Sequence, residues 1–300
     1  PLTADRDRLI LYVGRREIPQ VSSYVIDTDS GSLNVLSDGP VLDSDPCYIS
    51  LDKTGNFLLS AYYNGGGVSV HELTDGKFEG GSNWISTGPG AHSIMTDAEN
   101  RYAMTPHIAG KSGINTIRLF KFTEESGQLI SNEPSECSQP DNRGPRHYCF
   151  HPTKDLVYVT NEQGCSVTVY SLDKSSGTLT AGQTVNTLPA DFTGQSSCSQ
   201  IQIHPQGKFL YAPNRGHNSI ASYTINATTG ALAPTGWTAV DPVPRAFSLD
   251  PTGNFLYATG LETGNLIGFR VDQQSGALTR LETYAVGKSP MWVLITELSG

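Results

Sequence analysis

The sequence is short of charge, and the charge that it carries is mostly negative. Only 16% of its 300 residues are Asp, Glu, Lys or Arg, and 29 acidic residues outnumber 20 basic ones, for a formal net charge of −9. Binding to nucleic acid or to an anionic membrane requires a basic surface. We therefore expect neither as a partner, and an anionic small molecule binds only where local Arg or Lys residues overcome the negative background.

Long apolar runs and several catalytic motifs are also missing. No stretch approaches the roughly 20 consecutive apolar residues of a membrane-spanning helix, so we expect no membrane span. The sequence has no G-x-S-x-G elbow, no P-loop and no dinucleotide fingerprint. Covalent serine chemistry and nucleotide binding are therefore without support, and we expect an activity that uses no cofactor.

Cysteines are few and scattered. They are odd in number, form no C-x-x-C pair and show no zinc-like spacing. The five are Cys47, Cys137, Cys149, Cys165 and Cys198. This pattern favours a reducing compartment over a disulfide framework, and we expect a cytoplasmic protein.

What the sequence does contain is an internal repeat. A hairpin pattern recurs at starts about 45 to 54 residues apart, close to the ~40–50 residues of a propeller blade. The copies are "PCYISLDKTGNFLLSAYYN" from Pro46, "AHSIMTDAENRYAMTPH" from Ala91, "PRHYCFHPTKDLVYVTNE" from Pro145, "CSQIQIHPQGKFLYAPNR" from Cys198 and "PRAFSLDPTGNFLYATG" from Pro244. A partial copy, "LTADRDRLILYVGR", opens the chain.

Each copy reads as two strands joined by a tight turn. Apolar and polar residues alternate, and the centre follows a D/H-P-x-G pattern that is complete in "HPQG" (204–207) and "DPTG" (250–253), in which Pro and Gly favour the turn geometry. A second turn follows, as in "DKSSGTL" (173–179) and "DQQSGAL" (272–278). Four short strands per repeat, without helical periodicity, predict an all-β fold: a β-propeller of four-stranded antiparallel blades, forming a single domain over 1–300. A two-sheet sandwich fits less well because it needs no such regular repetition.

Hairpin geometry then predicts where the polar residues lie. The start of the first strand and the end of the second share one end of an antiparallel hairpin, and the first strand is innermost in a propeller blade. Arg146, His147 and Glu162 are therefore expected at one mouth of the central channel. The same offsets in neighbouring copies place His92 and Arg215 there.

Position in the repeat distinguishes the roles expected of four other histidines and one more arginine. His151 and His204 occupy the turn slot that Asp fills in other copies, so we expect them to cap turns at the opposite rim. His107 and His217 lie in loops on the same rim as the polar group, and Arg245 repeats the position of Arg146. These three are candidates for substrate contact, together with His147.

The polar group has a structural alternative, in which Arg146 and Glu162 form an ion pair that ties blades together. A structural pair needs one Arg, however, and two arginines around one carboxylate leave surplus positive charge that suits an anionic substrate. A divalent metal would need several oxygen ligands or a His cluster. One carboxylate among cations does not provide them, so no metal is expected.

The patterns "GPRHYCFHP", "YVTNE", "IQIHPQGKFLYAPNR", "PRAFSLDPTGNFLYA" and "AVGKSPMWVLI" (285–295) are similar, in this order and over almost the whole chain, to the seven-bladed β-propeller lactonase family. Within it the chain most resembles the bacterial propeller-type 6-phosphogluconolactonases, which are related to the carboxymuconate cyclases. The resemblance implies seven blades. A departure is the longer loop "TPHIAGKSGINTI" (105–117), which carries His107 and Lys111 and leaves substrate choice open.

The family's proposed catalytic His, Glu and two Arg fall on His92 in "GAHSI", Glu162 in "TNE", Arg146 in "GPRH" and Arg215 in "PNRG". The resemblance implies metal-independent hydrolysis of a sugar δ-lactone, specifically 6-phosphogluconolactone in the pentose phosphate pathway. Either His92 or Glu162 would act as general base. The alternatives are a carboxymuconate-type lactone-forming cyclase, another sugar lactonase, and a non-catalytic propeller that binds a protein.

The ends of the chain give one further expectation. Six hairpins are visible, whereas "SPMWVLI" (289–295) resembles the innermost strand of another blade that the family completes with N-terminal residues. We therefore expect one blade to be incomplete at the N-terminus. We also expect a monomer or a weak homo-oligomer whose partner is a small anionic lactone.

Overall fold

The structure, a computed structural model, describes residues 1–110 and 112–298. These residues form β-strands joined by turns and loops, and none of them is helical. Within this part of the chain there is accordingly no helix long and apolar enough to cross a membrane. The absence of helices confirms the prediction of an all-β fold.

Contacts divide the chain into two compact units, which comprise Pro1–Asp141, Ser175–Thr178 and Thr296–Gly300 in the first and Asn142–Lys174 and Leu179–Ile295 in the second. Each unit contains three antiparallel sheets in which consecutive strands are neighbours, as in the blades of a propeller.

The blades of the first unit have simple up-and-down order. Their strands are β1 (Leu2–Asp5), β2 (Ile10–Arg15), β3 (Gln20–Ile26) and β4 (Leu33–Val41); β5 (Tyr48–Leu51), β6 (Phe57–Tyr62), β7 (Gly67–Thr74) and β8 (Lys77–Ser86); and β9 (Met95–Thr96), β10 (Tyr102–His107), β11 (Thr116–Thr123) and β12 (Gln128–Ser138). The second strands β6 and β10 are buried throughout and β2 is half-buried, whereas the fourth strand of each of these blades is largely exposed.

The second unit repeats this order, with one interrupted first strand. Its strands are β13 (Pro145–Phe150), β14 (Leu156–Asn161), β15 (Ser166–Asp173) and β16 (Thr178–Asn186); β17 (Ser197–Cys198), β18 (Gln202–Ile203), β19 (Phe209–Arg215), β20 (Ser219–Ile225) and β21 (Leu232–Ala239); and β22 (Phe247–Leu249), β23 (Phe255–Gly260), β24 (Asn265–Val271) and β25 (Leu278–Ala285). β17 and β18 both pair with β19, so together they serve as one first strand.

The hydrophobic core lies between neighbouring blades. In the second unit, Phe209 and Tyr211 of β19 form one cluster with Phe247 of β22 and Phe269 of β24. Alternation along each strand produces this arrangement, because one face of a blade's sheet packs on the blade before it and the other face on the blade after it. The residues at strand ends are thereby left for the rims.

The turns have the predicted chemistry. Asp52 accepts backbone N–H groups across the first turn of its blade. In the same slot, Nδ1 of His151 accepts the N–H of Thr153 at 3.1 Å, and Nδ1 of His204 accepts that of Gln206 at 3.2 Å. Both histidines therefore cap turns, as expected from their position in the repeat.

Backbone conformation and close packing both require glycine in the second turn. Gly276 has φ of +74°, and a Cβ there would lie 2.5 Å from Cδ1 of Phe209 in the preceding blade. The carbonyl oxygen of Gly276 also accepts a hydrogen bond of 2.9 Å from the hydroxyl of Tyr211. Tyr158 and Gly230 form the equivalent bond one blade earlier. The turn thus fastens neighbouring blades of the second unit to each other.

The described residues form six blades, three in each unit, where the family resemblance implies seven. Residues 286–298 belong to no strand, so the additional blade expected around 289–295 stays a prediction. The single-domain organisation over 1–300 also stays a prediction.

Candidate active site

A β-bulge presents two successive polar side chains at the start of β13. Pro145 pairs with Asn161 and Tyr148 with Val159, so the register shifts between them. In a regular strand, Arg146 and His147 would point to opposite faces of the sheet, whereas a bulge re-aims one of two neighbouring side chains. Both residues are buried.

Glu162, just after the end of β14, binds two arginines. Its Oε2 accepts a 2.6 Å hydrogen bond from Nε of Arg146, and its Oε1 lies 3.1 Å from an Nη atom of Arg215. The three side chains are only 2%, 15% and 13% exposed for Arg146, Glu162 and Arg215 respectively. The structure thus brings together three of the four residues to which the family resemblance assigns catalysis, all within the second unit.

The two arginines also determine the charge of the carboxylate. Burial by itself would raise the pKa of Glu162, but the charges of Arg146 and Arg215 and their hydrogen bonds outweigh it, and the pKa is lowered. Glu162 is therefore ionised at neutral pH. A carboxylate held in this way is a weak proton acceptor, because an effective general base has a pKa near the working pH.

His147 lies beside this carboxylate, where the electrostatic potential is positive. Burial lowers its pKa well below the ordinary value, and the charges of Arg146, Arg245 and Arg215 lower it further. His147 is consequently neutral. Three arginines thus lower the pKa of one imidazole, and the negative charge of Glu162 binds two of these arginines. This group of residues, hereafter the arginine cluster (Arg146, Arg215, Arg245, Glu162 and His147), is net positive within an acidic protein.

His92 lies in the first unit, between the Ala91–His107 bridge and β9. It is buried, its backbone N–H donates to the carbonyl oxygen of Pro106 at 3.0 Å, and its ring lies 5.7 Å from that of Tyr63. This position at the beginning of a first strand agrees with the repeat. Its catalytic role stays a prediction.

The remaining candidates occupy different surroundings. His107 is completely buried in the first unit; burial lowers its pKa to about 4, and its Nδ1 lies 3.0 Å from the carbonyl oxygen of Pro89. His217, in the second unit, is half-buried, with Nδ1 2.7 Å from the hydroxyl of Ser219. Contact of either with a substrate stays a prediction. Lys111 lies outside the described residues.

The sequence did not single out three residues around the arginine cluster. The ring of Trp292 lies 6.3 Å from that of His147. Cys198 donates its backbone N–H to the carbonyl oxygen of Glu162 at 3.2 Å, and Cys165 also lies close to that oxygen. Trp292 lies in the segment 289–295, which the sequence assigned to a further blade and not to the polar group, and cysteine at the start of a first strand resembles ordinary packing.

Metal ligands do not gather among the described residues. In residues 1–110 and 112–298, no group of three or more His, Cys, Asp or Glu side chains is arranged to hold a metal ion. The arginine cluster itself offers guanidinium groups, one carboxylate and a neutral imidazole. Such a set binds anions and stabilises developing negative charge on oxygen.

Comparison with known proteins identifies the family. The model of the family "Lactonase, 7-bladed beta-propeller" matches residues 1–295. A 6-phosphogluconolactonase of Cronobacter sakazakii is 34% identical over 296 residues, with 98% of this chain and 87% of the relative covered. A 6-phosphogluconolactonase of Enterobacter sp. is 33% identical over 295 residues, with the same coverage.

Solved structures agree with this assignment. The periplasmic gluconolactonase of Pseudomonas aeruginosa has a TM-score of 0.88 and 26% identity, with 96% of this chain and 85% of the other covered. A protein from Lactobacillus plantarum has a TM-score of 0.87 and 23% identity, with 97% of this chain and 86% of the other covered. At this identity, the likeness is evidence for the fold and not for the function. The family model and the long alignments at one-third identity show that the chain belongs to the seven-bladed β-propeller lactonase family, whose chemistry is the hydrolysis of lactones.

Proposed function

We propose that the physiological substrate is 6-phosphogluconolactone, which the protein hydrolyses to 6-phosphogluconate without a metal ion. The observation that carries this proposal is the carboxylate of Glu162 shared between Arg146 and Arg215. Two guanidinium groups share this one carboxylate, so Arg146, Arg215 and Glu162 together carry a surplus of positive charge. The names of the relatives from Enterobacter and Cronobacter point to the same substrate.

The phosphate explains why such a surplus is needed. A phosphorylated lactone brings up to two negative charges to a protein with a net charge of −9. Long-range attraction does not help such a substrate, and its binding must come from local charge-assisted hydrogen bonds. We assign phosphate binding to Arg215, which has His217 two residues further along, and carbonyl binding to Arg146. Arg245, His147, His217 and His107 remain proposed substrate contacts.

The proposed chemistry is the attack of water on the lactone carbonyl. The tetrahedral intermediate carries a negative charge on oxygen, which the guanidinium of Arg146 stabilises. Collapse of the intermediate breaks the ring C–O bond, and the ring oxygen takes up the proton removed from water. Glu162 orients the two arginines, because each of its carboxylate oxygens binds one of them.

We assign proton transfer to His92, with Glu162 as the second choice. The lowered pKa of Glu162 supports this order, since a carboxylate stabilised by two cations accepts a proton poorly at neutral pH. The position of His92 in the repeat and the family resemblance supply the positive argument. A cytoplasmic location, a place in the pentose phosphate pathway and a monomeric or weakly associated state belong to the same proposal.

Turnover of freshly prepared 6-phosphogluconolactone tests the proposal. The rate of acid release is measured and corrected for spontaneous hydrolysis, and glucono-δ-lactone serves as the unphosphorylated comparison. We expect a higher kcat/KM for the phosphorylated lactone. An Arg270→Ala variant, which removes an exposed arginine of the second unit, serves as the control and should retain wild-type activity. Equal kcat/KM for both lactones would contradict phosphate recognition and point to another lactone.

A further inference from the structure

Two cysteines lie side by side next to the arginine cluster. Sγ of Cys165 is 3.1 Å from the carbonyl oxygen of Ser196 and 4.0 Å from that of Glu162. Cys198 donates its backbone N–H to the same Glu162 oxygen. Thr187 contacts both cysteines: its N–H donates to the carbonyl oxygen of Cys165 at 2.9 Å, and its hydroxyl lies 3.1 Å from Sγ of Cys198. These shared neighbours place the two thiols next to each other.

The two thiols differ in access and in acidity. Cys165 is half-buried, whereas Cys198 is fully buried. Hydrogen bonding to Cys198 lowers the pKa of Cys165, and the positive charge of Arg215 contributes to the lowering, which outweighs the opposing effects of burial and of the Glu162 charge. Burial raises the pKa of Cys198. Since the thiolate is the nucleophile, Cys165 is the thiol that a small oxidant meets first, and Cys198 is placed to react second.

The backbone of Cys198 connects this pair to the arginine cluster. Its carbonyl oxygen accepts a 2.7 Å hydrogen bond from an Nη atom of Arg215, and its N–H binds the carbonyl oxygen of Glu162 at 3.2 Å. Cys165 lies three residues after Glu162, at a left-handed φ of 41°. Any shift of these two cysteines therefore moves the backbone that positions the carboxylate and one of its arginines.

We propose that Cys165 and Cys198 form a reversible disulfide with a hydroperoxide as oxidant, and that this modification lowers lactonase activity. The Cys165 thiolate attacks the peroxide, the O–O bond breaks, and Cys165 becomes a sulfenic acid while the other oxygen leaves as an alcohol or water. Cys198 then attacks the sulfenic sulfur; the S–S bond forms, and the sulfenic oxygen leaves as water with the proton of Cys198. Two thiols are oxidised, and one peroxide is reduced.

The loss of activity follows from the geometry of the bond. Sulfur atoms in a disulfide are about 2.05 Å apart, closer than any non-bonded contact, so the segments that carry Cys165 and Cys198 must approach. Arg215 and Glu162 follow the backbone of Cys198. Because displacement of catalytic groups by about 1 Å costs up to ~10²-fold in rate, we expect at least a tenfold loss of kcat/KM.

The test treats the reduced full-length protein with hydrogen peroxide. Peptide mapping under non-reducing conditions should identify a Cys165–Cys198 cross-link, and activity should fall about tenfold or more and return on addition of dithiothreitol. Cys165→Ser should retain basal activity and resist peroxide. Cys198→Ala should accumulate a sulfenic acid at Cys165 that dimedone traps. Cys137→Ser, the matched control, should respond like the wild type.

Two outcomes would overturn the inference: no cross-link between these cysteines, or a cross-link that leaves activity unchanged. The activity readout rests on the proposed catalytic role of the arginine cluster and uses whichever lactone the wild type hydrolyses. The mapping readout does not rest on that role. A cross-link that lowers hydrolysis of glucono-δ-lactone, in a protein that never turns over 6-phosphogluconolactone, would therefore support this inference while contradicting the proposed substrate.

Discussion

Arg146 and Glu162 lie sixteen residues apart in the sequence and form a partly buried hydrogen bond of 2.6 Å between Nε and Oε2. They lie at the same end of one hairpin, and the bulge in β13 aims the arginine at the carboxylate. Glu162 also binds Arg215. Two cations from different blades therefore depend on a single carboxylate, and both stability and catalysis should respond when its charge is removed.

Removing that charge should destabilise the protein. Glu162→Gln removes the negative charge that two largely buried guanidinium groups share, and loss of one partner of a buried pair costs about 3–5 kcal/mol. Glu136→Gln is the matched control, because Glu136 pairs with Arg118 and both side chains are about one-third exposed (39% and 32%). That change should cost at most about 1 kcal/mol. Urea unfolding measures both; equal losses would show that the cluster is not a buried electrostatic unit.

The stability of the wild type should also depend on acid through Glu162. Its pKa is lower in the folded protein than the unfolded value of 4.5. A lowered carboxyl pKa contributes stability that is fully present above the unfolded value and is lost as the pH falls through the folded one. Thermal unfolding between pH 6 and pH 3 should therefore show a steeper loss in the wild type than in Glu162→Gln. Parallel curves for the two proteins would contradict the assigned direction.

The pH dependence of kcat distinguishes the two histidines. A general base must be deprotonated, so activity should fall on the acidic side, and His92→Gln should remove that limb and lower kcat by about 10²–10⁴-fold. His147 is neutral already, because burial and three arginines lower its pKa. His147→Gln should therefore leave the position of the limb unchanged. A limb that persists in His92→Gln would transfer the role of base to another group.

Two glycines of the second turn, alike in φ but different in surroundings, test the packing of the blades. Gly276 and Gly31 have nearly equal φ, +74° and +71°, but a Cβ at Gly276 would lie 2.5 Å from Phe209, whereas nothing lies within 4 Å of one at Gly31. Alanine at either position strains the backbone, and only at Gly276 does it also collide. We expect Gly276→Ala to lose about 1–3 kcal/mol more than Gly31→Ala. Equal unfolding free energies would contradict the role of this turn in joining blades.

The sequence predicted what depends on local repetition. The strand order, the turn caps at His151 and His204, and the meeting of Arg146, Glu162 and Arg215 all follow from the repeat and from antiparallel pairing. These features need only the relation between neighbouring strands, which alternation and turn residues carry.

Other features depend on packing that alternation does not encode. The bulge at Arg146 and His147 arises from the register of β13 against β14, which the apolar pattern alone does not specify. The contact of Trp292 with His147 brings a strandless segment to the arginine cluster. The Cys165–Cys198 pair joins a turn of one blade to the first strand of the next. The last two are long-range contacts, for which the period-two pattern of a hairpin carries no signal.

The most direct test of the proposed site compares the two arginines on two lactones. Each charge-assisted hydrogen bond is worth roughly 1.5–3 kcal/mol, or about one to two orders of magnitude in binding. Arg215→Ala should raise KM for 6-phosphogluconolactone by that factor, with a smaller effect on glucono-δ-lactone. Arg146→Ala should lower kcat on both, because its interaction strengthens as the oxyanion forms. Equal losses on both lactones for both variants would contradict a dedicated phosphate site in the arginine cluster.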